Sequence, residues 1–120
     1  MEQHSEYETL VRSLLGQEVE VIIDRPLGSR HPKHPNILYH VNYGYLTAFK
    51  APDGDYQDAY VLGPLEAVSR FHGVAIAIIH RLDDNEDKLV VTPKGKNFTD
   101  QEIEEAVEFQ EKYFKHVLIR

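Results

Sequence analysis

Apolar and polar positions along the chain repeat with two periods, one helical at both ends and one strand-like between them. Near the start, Tyr7, Leu10, Val11, Leu14 and Leu15 recur at helical spacing behind Ser5 and Glu8, which have capping-box separation. Gly16 ends that run, so a short N-terminal helix is predicted. Residues 18–24 alternate, with Val19, Val21 and Ile23 on one face of a strand. Residues 25–36 carry Pro26, Gly28, Pro32 and Pro35 and predict a loop. Residues 37–49 are rich in tyrosine and β-branched side chains, a strand with a bend at Gly44. A short strand over 58–62 is stopped by Gly63-Pro64. Residues 71–80 are apolar without alternation, which predicts a strand buried on both faces. An acidic turn over 83–87 leads to a strand over 88–92. Thr99 and Glu102 then form a second capping box. Behind it, Ile103, Ala106, Val107, Gln110, Tyr113 or Phe114, and Val117 follow one helical face. About five short strands and two helices suggest a mainly β protein: a small curled sheet or barrel covered by the C-terminal helix.

The 120 residues suffice for one domain, 1–120, around one core. No segment approaches the roughly 20 apolar residues that span a bilayer, and the polar start is unlike a secretory signal. The absence of cysteine excludes disulfides and thiolate metal sites and makes the cytoplasm the expected location. A formal charge of −7 argues against nucleic acid and anionic membranes as partners. It also repels a bare polyphosphate, so a phosphate ligand would need accompanying cations.

Chemistry is concentrated in two acidic segments. Asp53, Asp55 and Asp58 crowd a turn favoured by Pro52 and Gly54. Such crowding calls for cations or for full solvation, and hard oxygen donors suit magnesium, manganese or calcium. On spacing alone a solvated acidic turn is the commoner outcome. An EF-hand fails, because Asp58 and Pro64 stand where its glycine and final glutamate belong. Asp83, Asp84, Glu86 and Asp87 precede Lys88 between two strands, where a charged hairpin tip is the ordinary reading. Tyr39, Tyr43 and Tyr45 share a face if the pleat is regular, as half-buried core phenols or as donors to an anion. The seven histidines form no zinc signature, and neither a Walker A loop nor GxSxG occurs.

In this order, Asn42-Tyr43-Gly44-Tyr45 and Asp53-Gly54-Asp55-x-x-Asp58 resemble the soluble (family I) inorganic pyrophosphatases. Asp87-Lys88-Leu89-Val90 and the aromatic end of the last helix look similar too. The resemblance implies an OB-like five-stranded barrel packed by the C-terminal helix, and magnesium-dependent cleavage of pyrophosphate to two phosphates, with manganese an alternative ion. Carried over by position, Asp53 and Asp58 would bind metal, and Asp55 would take a proton from the attacking water. Asp24 would be a further strand carboxylate, and Asp84 with Glu86 or Asp87 would complete the metal set. Tyr43, Lys88, and Tyr113 or Phe114-Lys115 would meet the phosphates. A basic hairpin usual in that family is replaced here by the 25–36 loop, with Arg30 and Lys33 as the stand-ins. The shortened loop keeps two other functions open: a non-catalytic relative that binds a phosphate metabolite, and a hydrolase of another phosphoanhydride. A homo-oligomer is expected from the same resemblance.

Overall fold

The computed structural model describes residues 10–50 and 54–120. The expected N-terminal capping box, Tyr7 and Asp53 lie outside the described residues. Residues 10–13 are helical. Six strands follow: β1 (Glu18–Arg25), β2 (Asn42–Lys50), β3 (Tyr56–Val61), β4 (Arg70–Arg81), β5 (Asp87–Thr92) and β6 (His116–Ile119), with helix α1 (Asp100–Glu111) before the last. The strand order is β1-β2-β3-β5-β4, and β1 also pairs with β4, closing a five-stranded barrel. Among the described residues only β3 and β5 run parallel; β6 extends the sheet from β4. Among the described residues no helix is long and apolar enough to cross a membrane.

The barrel has two apolar layers. Val21, Ile23, Leu46, Ala59, Val61, Ala75, Leu89 and Val91 fill the interior. Tyr43, Tyr60, Leu62, Ala77, Ile79 and Val90 face outward, where Ile103, Val107 and Phe109 of α1 cover them. Alternation along β3 and β5 thus sends each residue to one layer or the other. This explains the uninterrupted apolar run of β4. Ala75 and Ile78 point inward, Ala77 and Ile79 meet the helix layer, and a register shift between Ala75 and Ala77 swaps the phase.

Three expectations change. The strand predicted from residue 37 begins at Asn42, and only Leu38 makes an isolated bridge, to Arg30. Close packing is what Gly44 serves in β2. It lies against β1, where a Cβ would sit 1.8 Å from the carbonyl oxygen of Ile22 and 2.9 Å from the Cα of Ile23. The irregularity is in β1 opposite, between Ile23 and Arg25. Finally, the terminal helix stops at Glu111, so Val117 is in a strand rather than on the helix face. Pairing of 116–119 with Ile78–Arg81 of β4 overrides the helical pattern, because the edge of β4 leaves backbone groups that need partners. The capping box at Thr99 and Glu102 is present with both of its hydrogen bonds.

Candidate functional site

A cleft of about 500 Å³ opens on the outer barrel face beside the end of α1. Its floor is a charged cluster on β2, β3 and β5. Lys88 Nζ donates to Asp58 Oδ2 and to Glu86 Oε1, each at 2.7 Å. Tyr43 Oη donates to the same Asp58 oxygen at 2.9 Å. Burial, and then the charge of Asp58, push the Tyr43 phenol far above its usual range, so it stays a donor. The side chain of Lys88 is only 5% exposed, yet both of its carboxylate partners reach solvent. One ammonium is therefore shared by two carboxylates at the base of an open cleft.

Two arginines flank this cluster. Arg25, at the end of β1, lies over the rings of Tyr39 and Tyr43, 5.7 and 5.5 Å from their centroids. Its Nη1 donates to Tyr39 Oη at 2.6 Å. Arg81, at the end of β4, stacks 3.7 Å from the Phe114 ring centroid and forms a buried ion pair with Glu111. The 26–41 loop supplies His31, His34, Asn36 and Ile37 to one wall; Tyr113 stands at another. His31 Nδ1 accepts from the backbone N–H of Lys33 and of His34. Its proton is thereby placed on Nε2. Burial, then the nearby Arg25, His34 and Lys33, lower the His31 pKa and favour the neutral ring.

Of the residues singled out from the sequence, Tyr43, Asp58, Glu86, Lys88 and both Tyr113 and Phe114 share this cleft. Strand alternation decides between Glu86 and Asp87. With Lys88 facing the cleft, Asp87 must point the other way, and it pairs with His80 Nδ1 at 2.6 Å against a small separate cavity. Asp84 shapes the turn instead: one oxygen accepts from Arg81 and the other from the Glu86 backbone N–H. Asp24 is exposed, next to Arg25 but outside the lining. Asp55 is exposed in the turn before β3. Arg30 donates to the Pro35 carbonyl within its own loop, Lys33 is exposed, and Lys115 offers its backbone N–H to Asp83. None of these three lines the cleft.

Asn42, the first residue of the tyrosine motif, proves to be a buried staple. Its oxygen accepts from Leu27 and Val68 N–H groups, and its amide donates to the Glu66 carbonyl, tying two loops to β2. Arg25 and Arg81 were not singled out in the sequence; Gln110 was named only for its place on the helix face, and His31 only among histidines that form no zinc signature. Arg25 was legible in principle, since it adjoins Asp24 on an alternating strand. The others depend on how a loop and a helix end come to rest.

No protein-family model and no curated protein matches the sequence. Solved structures do match the architecture. An inorganic pyrophosphatase from Ehrlichia chaffeensis superposes with a TM-score of 0.64 at 16% identity, over 85% of this chain and 84% of that one. One from Neisseria gonorrhoeae gives 0.63 at 18% identity, over 82% and 74%. One from Helicobacter pylori gives 0.62 at 16% identity, over 86% and 84%. The chain has the inorganic pyrophosphatase fold. At such low identity the likeness concerns the fold, and it agrees with the closed barrel and terminal helix that the motif resemblance implied.

The pyrophosphatase resemblance implies magnesium, and the residues present can be tested for it. Among the described residues, no three His, Asp or Glu side chains gather as a metal site. Two carboxylates, Asp58 and Glu86, do converge on one cation, the Lys88 ammonium. Their oxygen donors are of the kind a hard divalent ion takes. The donor type suits such an ion, while the described residues alone supply these two carboxylates and no third.

Proposed function

We propose that this protein hydrolyses inorganic pyrophosphate in the cleft beside α1, with magnesium as cofactor. The observation that carries this reading is the meeting of Asp58, Glu86, Lys88, Arg25 and Tyr113 in one open cleft. Asp58 belongs to the aspartate run that follows the tyrosine motif. Magnesium would be held by Asp53, Asp58 and Glu86, and when bound it would acidify water and offset phosphoryl charge. Asp55 accepts the proton of the attacking water. Arg25 and Lys88 hold the phosphoryl oxygens and receive the charge that builds on the leaving phosphate. Tyr43 orients Asp58 through its hydrogen bond. Arg25 takes the cationic role that the sequence suggested for Arg30 and Lys33.

Phosphate release from pyrophosphate, with and without magnesium, tests this. Asp55→Asn is expected to lower kcat by about 10²–10⁴-fold, the usual contribution of a general base. Unchanged release would remove Asp55 from the mechanism. A second reading, phosphate-metabolite binding without turnover, is favoured by one feature: Lys88 already satisfies both Asp58 and Glu86. Stabilisation by pyrophosphate with no phosphate release would select it. Release from nucleoside triphosphates but not from pyrophosphate would instead select another phosphoanhydride.

A further inference from the structure

Arg25 and Arg81 approach the cleft from different strands, and an unbroken chain of hydrogen bonds joins them behind it. Arg25 Nη1 donates to Tyr39 Oη at 2.6 Å, and Tyr39 Oη donates to Gln110 Oε1 at 2.6 Å. Gln110 Nε2 donates to Tyr60 Oη at 2.7 Å, and Tyr60 Oη donates to Glu111 Oε2 at 2.6 Å. Arg81 closes the chain onto Glu111 through Nη2 at 2.7 Å and Nε at 3.0 Å.

The direction of this chain is determined. Arginine can only donate and an ionised carboxylate can only accept. Each phenol has a single proton, so a tyrosine that accepts on one side donates on the other. Gln110 alone presents an acceptor to one tyrosine and a donor to the other, in the order the ends demand. Tyr39, Tyr60 and Glu111 are 0% exposed and Gln110 is 5% exposed, so the inner links of the chain are shielded from bulk water. Burial first, then the Glu111 charge, keep Tyr60 a phenol; burial does the same for Tyr39.

We propose that Gln110 and Tyr39 are positioning residues for Arg25, holding its guanidinium at the phosphate end of the cleft by an anchor that runs to Glu111. This rests on the proposed phosphate-binding role of Arg25. It supplies a physical reason why the missing basic hairpin need not empty the site of fixed cations. The anchoring comes from the last turn of α1 rather than from the loop that carries Arg30 and Lys33.

The test uses Gln110→Met, close in volume and unable to relay, and Tyr39→Phe, which keeps the ring. With pyrophosphate as substrate, each is expected to raise KM about tenfold, the scale of a lost hydrogen bond to a charged group, while kcat stays within about twofold. In an Arg25→Met background neither should raise KM further. A merely structural role would lower kcat and KM performance equally in both backgrounds, and that result, or an unchanged KM, overturns the proposal. A second readout is independent of turnover. The Nε–Hε order parameter of Arg25, by ¹⁵N relaxation, should fall in both variants. Loss of Arg25 order in a protein that neither binds nor cleaves pyrophosphate would refute the proposed function and sustain the positioning role. Unchanged order would overturn the positioning role alone.

Discussion

Replacing Glu111 with alanine puts the buried end of α1 under the most direct stress. Glu111 is fully buried and is the acceptor for both Tyr60 and Arg81. Arg81 is itself 5% exposed, and its other acidic partner, Asp84, is a longer contact at 3.3 Å on the open turn. Removing Glu111 therefore leaves a guanidinium in a low-dielectric site with only peripheral compensation. Breaking a buried pair in this way costs about 3–5 kcal/mol. The stranded Tyr60 hydroxyl adds to this, and residual contact with Asp84 subtracts, so about 4 kcal/mol is the working figure. That is a large part of the roughly 5–15 kcal/mol available to a small domain. With a urea slope of about 2 kcal/mol/M the midpoint should fall by about 2 M. The double variant Arg81→Met/Glu111→Leu removes both charges and should recover all but the cost of the stranded phenol, about 1–3 kcal/mol. Equilibrium urea unfolding of Arg81→Met, Glu111→Leu and this double gives the coupling directly. A Glu111→Ala loss below about 1 kcal/mol, or additive singles, would refute the claim that this pair is buried and mutually dependent.

Gly44→Ala should disrupt folding, because the new Cβ meets backbone of β1 and no side chain can yield; persistence of the wild-type melting temperature would count against the close β1–β2 approach. Tyr39, Tyr43 and Tyr60 have phenol pKa values raised first by burial, so the folded state keeps protons that the unfolded chain releases above about pH 10. Their contribution is fully present below that pH and is lost as the pH climbs toward the raised values. Tyrosinate absorbance should accordingly show these three of the seven tyrosines ionising only together with unfolding; early ionisation of all seven would contradict their burial. Lys88→Met leaves Asp58 and Glu86 without their shared ammonium, so magnesium should raise the melting temperature of the variant more than that of the wild type. An equal or smaller rise would show that those carboxylates do not hold magnesium.

The candidate site was legible in part because its motif is local. Asn42 to Tyr45 and the aspartate run are contiguous stretches, and their order along the chain was enough to suggest the barrel and to single out Tyr43, Asp58 and Lys88. Cationic partners were harder to see. Arg30 and Lys33 sit in the loop that replaces the hairpin, but the Arg30 guanidinium is spent on the Pro35 carbonyl, neither residue lines the cleft, and Arg25 enters it instead. Asp87 was indistinguishable from Glu86 until the register of β5 with β4 set which carboxylate shares a face with Lys88.

Periodicity and capping are properties of neighbours in sequence, so the chain alone determined five of its strands, the start of α1 at Thr99 and the double-sided burial of β4. The closure of β1 on β4, the pairing of β6 against its helical pattern, and the hydrogen-bond chain from Arg25 to Arg81 were decided only by the tertiary structure. Each joins residues far apart along the chain, such as Tyr39 and Gln110, and each follows from the need to satisfy buried polar groups once the barrel has closed.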